Sequence, residues 1–334
     1  MKTAIVSGIT GQIGSAFAEL LLSKNYKIYG IKRRSSSINT ERIDHLYQDP
    51  HVNNQLELVY GDLSDYSSIA GLVADVKPDF FYNFGAMSHV RVSFDVPEFC
   101  MDITGTGVIR CLEAIRKFSP KTRFLQMSSS EIFGSSPPPQ NELTPFRPCS
   151  PYAIAKLAGY WATVNYRNAY NIHASNAICF NTESCKRGIT FVTRKLSMGC
   201  AKIAVGLQNK LYLGNLNAKR SWSHVGDQIN GIYLIANADR PDDYVLGVEE
   251  MHSVEEFAKC AFDRVGLNYK DYIELDCRYL RPYEVDALCP DTTKIKTELG
   301  WRPEKGFIDI VNEMVDYDLE LAKQEKFCCS MHQN

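Results

Sequence analysis

The first half of the chain alternates short runs of β-branched and aromatic residues with longer segments in which apolar residues recur at helical spacing. Helical periodicity covers residues 16–23 and 106–118. The candidate strands are residues 3–7, 27–31, 56–60, 80–84 and 123–127. This alternation predicts an α/β fold, in which a doubly wound parallel sheet of the Rossmann type carries helices on both faces.

The pattern becomes less regular after about residue 176, where isolated charges and Gly/Asn pairs interrupt it. We predict that residues 1–176 form mainly the dinucleotide-binding domain. Residues 177–325 are predicted to form mainly a smaller α/β substrate-binding lobe, with chain crossings between the two lobes. Residues 326–334 are predicted to be a flexible tail. A length of 334 residues suits two such lobes and is too short for several independent domains.

Composition and charge narrow the classes of function. The chain is 45% hydrophobic and 23% charged, with a formal net charge of −2, so nucleic-acid binding is not expected. It lacks the roughly 20 consecutive apolar residues of a membrane span, and its first residues predict a strand instead of a signal sequence. The eleven cysteines have no paired metal-ligand spacing. We therefore expect reduced thiols, no metal site and a cytoplasmic location.

A glycine-rich turn joins the first predicted strand to the first predicted helix. Gly8, Gly11 and Gly14 have GxxGxxG spacing, and Gln12 and Ile13 lie between the last two glycines. Glycines permit a tight turn and leave backbone N–H groups at the helix N-terminus facing a phosphate. The motif predicts a dinucleotide pyrophosphate site, and the alternative is a simple tight turn.

The second predicted strand ends in the cationic run Lys32-Arg33-Arg34, followed by Ser35. An NAD site usually has an acidic residue here, whereas guanidinium groups suit the 2′-phosphate of NADP. We predict NADP as the cofactor, with Arg33, Arg34 and Ser35 among its contacts; the alternative is a solvated basic loop. Further predicted cofactor contacts follow later strands: Asp62, Leu63 and Phe84.

Two segments supply candidate catalytic side chains. Ser129 and Glu131 follow the strand predicted at residues 123–127, and Tyr152 and Lys156 have YxxxK spacing at a predicted helix start. That spacing puts tyrosine and lysine on one helical face, where the ammonium group favours a phenolate whose free pKa is about 10. YxxxK alone is common on surface helices, but its position after a glycine turn and a serine cluster predicts alcohol oxidation.

Glu131 adds a second acid/base group to this set. Oxidation of an alcohol needs only serine, tyrosine and lysine, whereas a neighbouring carboxylate suits removal of a proton α to a ketone and protonation of a leaving hydroxyl. Glu131 therefore predicts an elimination step. The alternative is a glutamate that caps a helix or forms a salt bridge.

Longer matches make the sequence resemble the GDP-mannose 4,6-dehydratase family of extended short-chain dehydrogenase/reductases, from about Thr3 to about Glu325. The matching segments are RRSS at 33–36, NTERIDHLY at 39–47, SHV at 88–90, SF at 93–94, SPY at 150–152, NTES at 181–184, RG at 187–188, FVTRK at 191–195, LGNLNAKR at 213–220 and RPYEVD at 281–286. The resemblance implies NADP as cofactor and a GDP-sugar as substrate. It also implies that segment 34–47 reaches a neighbouring subunit's cofactor site, in a homotetramer or a dimer.

The resemblance implies a redox-neutral cycle that ends in a 4-keto-6-deoxy sugar. Tyr152 would take the proton of the C4 hydroxyl, Lys156 would hold the nicotinamide ribose and Ser129 would hydrogen-bond the C4 oxygen. Glu131 would take the C5 proton and assist loss of the C6 hydroxyl. The implied contacts to the GDP-sugar are Ser88, Asn181, Val192, Lys195, Arg220, Arg281 and Glu284.

Several positions depart from the family pattern: Ile13 in the glycine turn, Met87, and the segments 181–186 and 221–224 on the sugar side. These departures make GDP-D-glycero-D-manno-heptose a second predicted substrate beside GDP-mannose. Two other classes remain as alternatives. A GDP-sugar 4-epimerase or 4-reductase would not require Glu131, and a non-catalytic protein that binds NADP or a nucleotide sugar would be expected to lack Tyr152, Lys156 or Glu131.

Overall fold

The computed structural model describes residues 1–47 and 55–331, in which strands and helices alternate along the chain. The strands are β1 (Lys2–Ser7), β2 (Tyr26–Lys32), β3 (Leu56–Tyr60), β4 (Phe80–Asn83), β5 (Arg123–Ser129), β6 (Ala174–Cys179), β7 (Asn181–Glu183), β8 (Leu211–Leu213), β9 (Lys219–Arg220), β10 (Trp222–His224), β11 (Asp243–Leu246), β12 (His252–Ser253), β13 (Ile273–Leu275) and β14 (Ala287–Leu288). The helices are α1 (Gln12–Ser23), α2 (Tyr66–Val76), α3 (Val90–Ser93), α4 (Pro97–Met101), α5 (Gly107–Phe118), α6 (Pro151–Tyr170), α7 (Val192–Ala204), α8 (Val225–Asn237), α9 (Val254–Arg264), α10 (Thr293–Leu299) and α11 (Phe307–Met331). Within the described ranges, every helix is too short or too polar to span a membrane.

The largest element is a seven-stranded sheet with the order β11-β6-β5-β4-β1-β2-β3, in which all neighbouring strands are parallel. Ser7, at the end of β1, is paired with Asn83 of β4 and Ile31 of β2. Because parallel strands share one carboxyl edge, the segments that follow β1, β4, β5 and β6 converge there. The predicted doubly wound α/β fold is confirmed.

Apolar side chains on both faces of the sheet explain its position between two helix layers. One core cluster joins β1 to Phe17 of α1 and Ile232 of α8. The other joins the opposite face to Val73 of α2 and Leu112 of α5. Strands buried on both faces need continuous apolar runs, which is why the strands were visible in the sequence.

The second lobe has its own core, formed by α7, α9 and α11 around Phe257, Phe262 and Met314. The predicted boundary at residue 176 lies inside β6, which remains part of the large sheet. The chain also returns to that sheet through β11. Since β6 pairs with β5 and β11 pairs with β6, both strands belong to the large sheet, and the two lobes are not separated at one point of the chain.

The tail predicted to be flexible begins at residue 326, within the last helix of the structure. Helix α11 continues to Met331, and residues 332–334 lie outside the described residues. Lys202 pairs with Glu325 at 2.8 Å, and the Lys326 ammonium donates a hydrogen bond to the Val205 carbonyl at 2.7 Å. These polar contacts join the last turns of α11 to the end of α7. They lie beyond Ala322, the last buried apolar residue of α11 among the described residues.

Candidate active site

The carboxyl edge of the large sheet opens into a cavity of about 350 Å³. The glycine turn after β1 forms one end of its lining. The end of β5, the residues that follow it and the start of α6 contribute the candidate catalytic groups. The second lobe lines the cavity with Asn181, Thr182, Arg187, Gly188 and Phe191. Segments far apart in the sequence therefore meet around one space.

The glycine turn has the geometry of a phosphate cradle. Gly8 adopts a φ of +66°, and the Gly11 amide donates to the Gly8 carbonyl at 3.0 Å. A Cβ at Gly14 would lie 2.2 Å from the Gly8 oxygen, so no side chain fits. Helix α1 begins next to Gly11, which no side chain of the described residues caps. The backbone N–H groups of its first turn therefore suit an anion at this edge.

Gln12 connects this turn to the second lobe. Its amide nitrogen donates to the Thr182 carbonyl at 2.8 Å, and its amide oxygen accepts from the Ser184 hydroxyl at 2.9 Å. Ile13, in the first turn of α1, packs into the hydrophobic core and is 8% exposed. The glycine turn is thus fixed on one side by packing and on the other by hydrogen bonds to β7 and the residue after it.

Helix α6 presents Tyr152 and Lys156 to the cavity. The Ser150 hydroxyl caps the helix by accepting from the Ala153 amide at 3.1 Å, and Pro151 follows at the first helical position. One turn after Tyr152, the Lys156 ammonium donates to the Met127 carbonyl at 2.6 Å and lies 5.9 Å from the centre of the Tyr152 ring. The predicted spacing on one helical face is therefore realised.

Burial opposes ionisation of both groups. It raises the pKa of the Tyr152 hydroxyl well above its ordinary value, and the hydrogen bond with Ser129 acts in the opposite direction. Burial lowers the pKa of Lys156 to about 8. A phenolate at Tyr152 therefore needs further stabilisation from groups that enter the cavity.

Glu131 lies in the same cavity and is 8% exposed. Its carboxylate is 3.5 Å from the Arg281 guanidinium, which also lies 3.4 Å from Glu284. Glu284 in turn is 3.2 Å from Arg220. Burial lowers the pKa of Arg220, and the neighbouring carboxylates counteract that effect. Alternating charges thus run from the cavity towards the interior of the second lobe.

The loop after β7 forms the opposite wall through Arg187 and Phe191. The guanidinium of Arg187 lies 3.9 Å from the centre of the Phe191 ring and 3.5 Å from the buried carboxylate of Glu183. Burial raises the pKa of Glu183, whereas Arg187 lowers it. The Thr193 hydroxyl also donates to Glu183 at 2.5 Å. Glu183 therefore fixes both this loop and the start of α7.

A second cavity lies beyond Arg281, whose side chain lines both spaces. Glu284, Asp276 and the segment 214–217 also line the second cavity. Lys195 is nearby, with its ammonium 3.4 Å from the centre of the Tyr279 ring, and Tyr279 lies between the lining residues Cys277 and Leu280. The two cavities together extend from the candidate catalytic groups into the second lobe.

Comparison with known proteins places this site in a family. The family model for GDP-mannose 4,6 dehydratase matches residues 5–314. The chain is 51% identical to GDP-mannose 4,6 dehydratase 1 of Arabidopsis thaliana over 331 residues, which cover 97% of this chain and 92% of that protein. The chain belongs to the GDP-mannose 4,6-dehydratase family. It is also 44% identical to the GDP-mannose 4,6 dehydratase of Homo sapiens, over 96% of this chain and 92% of that protein.

Solved structures show that the fold of this GDP-mannose 4,6-dehydratase family member is shared more widely. A dTDP-glucose 4,6-dehydratase from Streptomyces venezuelae with NAD and TYD bound superposes with a TM-score of 0.84 at 23% identity, over 96% of this chain and 98% of that one. RMD from Pseudomonas aeruginosa complexed with NADPH gives a TM-score of 0.78 at 18% identity, over 96% and 100%. At such identities the likeness concerns the fold alone.

The first cavity brings together many of the residues predicted from the sequence. Those that line it are Gly8, Gly11, Gln12, Ile13, Gly14, Phe84, Ser88, Ser129, Glu131, Tyr152, Lys156, Asn181 and Arg281. Their functional roles stay predictions, but their common location follows from the convergence of the parallel strands.

The other predicted contacts lie outside that lining. Arg33, Arg34 and Ser35 are exposed after β2. After β3, Asp62 accepts a hydrogen bond from the Ser64 amide at 2.9 Å, and Leu63 is buried. Four more predicted contacts belong to the second lobe: Val192 and Lys195 in the first turn of α7, the buried Arg220 on β9, and Glu284 at the second cavity.

Sequence reasoning missed Arg42, Thr182 and Arg187 as lining residues. Arg42 lies in a segment that the family resemblance associates with a neighbouring subunit. Here it lines its own chain's cavity and donates from Nε to the Lys186 carbonyl at 2.8 Å, while Ile43 is buried in the core. All three residues lie within segments that match the family, and this match was the available signal. No spacing rule distinguishes an arginine in a loop that lines a site from an arginine in a solvated loop.

Proposed function

We propose that this protein is a GDP-mannose 4,6-dehydratase that uses NADP. The observation that carries the proposal is a buried carboxylate, Glu131, in one cavity with Ser129, Tyr152 and Lys156. Those three residues suffice for oxidation and reduction of a sugar hydroxyl, whereas elimination of water needs the additional acid/base group. Membership of the family, with relatives named for this activity, supports the same conclusion.

The glycine turn fits the pyrophosphate of a nicotinamide dinucleotide. No described side chain caps the N-terminus of α1, so its backbone N–H groups can bind a phosphate, and the absence of space for a Cβ at Gly14 lets the turn pack closely on the start of this helix. The exposed Arg33 and Arg34 at the end of β2 favour NADP because they can bind its 2′-phosphate. When bound, the cofactor accepts a hydride from the sugar and later returns it.

In the proposed reaction, the chain's own residues move the protons. Tyr152 takes the C4 hydroxyl proton as C4 becomes a ketone, while Ser129 donates a hydrogen bond to that oxygen. Glu131 then takes the C5 proton and transfers it to the departing C6 hydroxyl, which leaves as water. As hydride returns to C6, the proton held by Tyr152 passes to C5. Lys156 supplies positive charge beside Tyr152 and a donor for the nicotinamide ribose.

The GDP portion is proposed to extend from the first cavity into the second. Arg281 and Lys195 suit the diphosphate because guanidinium and ammonium groups form charge-assisted hydrogen bonds with phosphate oxygens. Glu284 can accept bonds from ribose hydroxyls. Arg220 is buried and bonded to Glu284, so we propose that it acts on the ligand through that carboxylate. Ser88, Asn181 and Val192 are proposed to contact the sugar side.

Mass spectrometry of the reaction products tests the function directly. The purified protein is incubated with a catalytic amount of NADP⁺ and either GDP-mannose or GDP-D-glycero-D-manno-heptose. Loss of the mass of one water without net formation of NADPH is the expected result with GDP-mannose. Conversion of the heptose compound alone would reassign the substrate. An unchanged mass, or a gain of two hydrogens that requires NADPH, would support an epimerase or a reductase instead.

Binding measurements test the choice of cofactor. The wild-type protein is expected to bind NADP⁺ more tightly than NAD⁺, and replacing both Arg33 and Arg34 with glutamine is expected to remove most of that difference. Loss of two charge-assisted contacts should cost about 2 kcal/mol, or roughly thirtyfold, in NADP⁺ affinity. NAD⁺ affinity serves as the control, and an equal loss for both cofactors would contradict a role in recognising the 2′-phosphate.

We also propose that the protein assembles as a homotetramer or a dimer. Helices α4, α5 and α6 pack side by side and expose Phe99, Ile109, Ile154 and Trp161. Each of these side chains is between 43% and 54% exposed. Several large apolar side chains on adjoining helices are typical of a surface that pairs with another subunit.

A further inference from the structure

Arg281 occupies the junction of the two cavities. Its guanidinium nitrogen Nη1 is 3.5 Å from an oxygen of Glu131 on one side and 3.4 Å from an oxygen of Glu284 on the other. One cation is thus shared between the carboxylate proposed to act at C5 and a carboxylate at the second cavity. The Arg281 side chain is 25% exposed, so it can reach a ligand without unfolding the surrounding loop.

The pair with Glu131 has two energetic consequences. Glu131 is nearly buried, so its charge requires a partner in the absence of ligand. A diphosphate offers the planar guanidinium more negative charge and pairs of oxygens that can accept bidentate hydrogen bonds, which is the stronger interaction. An incoming diphosphate therefore competes with Glu131 for Arg281.

We propose that the Arg281–Glu131 pair is a latch that the nucleotide diphosphate opens. Before ligand binds, Arg281 holds Glu131; when the diphosphate arrives, Arg281 turns to it and leaves the carboxylate free to accept the C5 proton. Arg281 is a positioning residue for Glu131 as well as a proposed ligand contact. The inference rests on the proposed function, because it needs a GDP-sugar in these two cavities.

The latch makes a prediction about binding that a simple contact does not. Breaking the Arg281–Glu131 pair consumes part of the free energy of ligand binding, so the pair must weaken affinity for the diphosphate. Removing the charge of Glu131 should then tighten binding. The gain should occur only in proteins that retain Arg281.

A double-mutant cycle with GDP as the probe tests this coupling by isothermal titration calorimetry. Glu131→Gln is expected to bind GDP about fivefold more tightly than the wild type, a gain set by the strength of a partly exposed ion pair. In the Arg281→Gln background, Glu131→Gln is expected to have no effect: the double variant should bind GDP with the same affinity as the Arg281→Gln variant. Glu298→Gln, which removes a charge on α10 where Glu298 accepts a bond from Tyr244, is the matched control and should not alter GDP affinity.

The outcomes separate the latch from the proposed function. Equal GDP affinity in Glu131→Gln and the wild type would overturn the latch. An equal gain in affinity when Glu131→Gln is added to Arg281→Gln would also overturn it, because that result indicates direct repulsion between the Glu131 carboxylate and the phosphate. Failure of the wild-type protein to bind GDP would overturn the proposed function and the latch with it. Glutamine is close in size to both side chains, and circular dichroism checks that each variant is folded.

Discussion

Tyr152, Lys156 and Glu131 carry the proposed chemistry, and their surroundings determine which of them can act without ligand. Burial raises the pKa of Tyr152, so its hydroxyl stays protonated without ligand, and lowers the pKa of Lys156 to about 8, so its ammonium is still charged at pH 7 but is less stable than in water. Glu131 keeps a charged neighbour in Arg281. Tyr152, the proposed base at C4, therefore depends on ligand groups that enter the cavity. Glu131, the proposed base at C5, depends instead on movement of the Arg281 side chain.

Replacing Glu131 with glutamine should separate the two halves of the reaction. Oxidation at C4 needs only Tyr152, Lys156 and Ser129, so transient NADPH absorbance is expected to remain in a single turnover. Water loss is expected to fall by about 10²- to 10⁴-fold, because the acid/base group for C5 and C6 is gone. Tyr152→Phe is the matched variant and should abolish the NADPH transient itself. Dehydration at the wild-type rate in Glu131→Gln would contradict the assigned role.

The lowered pKa of Lys156 predicts a specific dependence of stability on pH. The folded state binds this proton with a pKa of about 8, against 10.5 for the ordinary side chain. Between these values the unfolded chain holds more protons, so the penalty for burying the charge is full at pH 7 and is relieved as pH rises. Relative to Lys156→Met, the ligand-free wild type should gain about 2 to 3 kcal/mol of unfolding free energy between pH 7 and pH 10. Urea unfolding at a series of pH values measures the free energy of unfolding of both proteins. The same dependence on pH in the wild type and in Lys156→Met would refute the prediction.

At the scale of elements, two helix N-termini and one side-chain link build the site. Helix α1 brings its uncapped first turn to the glycine cradle, and the Ser150 cap with Pro151 begins α6 where Tyr152 meets the cavity. Gln12 then ties the start of α1 to β7 and Ser184. Cofactor-side and substrate-side segments are thus joined by direct hydrogen bonds.

Gly14→Ala is expected to disrupt the cradle. The new Cβ would lie 2.2 Å from the Gly8 oxygen, so the turn must open. We expect a loss of about 2 to 3 kcal/mol in stability and weaker binding of NADP⁺. Gly71→Ala is the control, since no atom of the described residues lies within 4 Å of its Cβ position in α2, and it should stabilise the protein by about 0.5 to 1 kcal/mol. Thermal unfolding with and without NADP⁺ measures both effects; similar changes in the two variants would show that the contact does not matter.

Loss of the Gln12 link should affect the substrate side more than the cofactor side. In Gln12→Ala the segment from Thr182 to Lys186 loses two hydrogen bonds to α1. We expect KM for GDP-mannose to rise by up to about thirtyfold, because two net hydrogen bonds contribute about 2 kcal/mol. Hydrogen exchange in residues 182–188 should become faster. Unchanged exchange in this segment would argue against the link.

At the scale of the whole molecule, the large sheet and the second lobe share the chain, because β6 and β11 belong to the sheet while α7, which lies between them in the chain, belongs to the second lobe. The exposed apolar side chains on α4, α5 and α6 lie on the sheet-bearing lobe.

Trp161→Glu is expected to reduce the assembly to a smaller species. Trp161 is 54% exposed beside Ile154, and a charge there would have to be desolvated in a subunit interface. Light scattering after size-exclusion chromatography measures the mass. Leu143→Glu is the matched control, because Leu143 is 92% exposed in a loop and should leave the mass unchanged. A wild-type mass equal to one chain at micromolar concentration would contradict the proposed oligomer.

The sequence by itself determined the features that depend on neighbouring residues. Strand β3 matches its predicted residues; β1, β4 and β5 differ from theirs by one or two residues at one end, and β2 is longer by one residue at each end. The glycine turn and the spacing of Tyr152 and Lys156 were equally visible. Hydrophobic periodicity, glycine backbone freedom and one helical turn are local properties, so a single chain displays them.

Only the tertiary structure decided which distant segments meet. Glu131 and Arg281 are 150 residues apart, and Arg42 meets the Lys186 carbonyl across 144 residues. The course of α11 past residue 326 likewise depends on contacts with the end of α7. Neither spacing nor periodicity encodes such pairs, because they result from the packing of whole elements, and a charged loop residue has the same local sequence whether it faces a cavity or water.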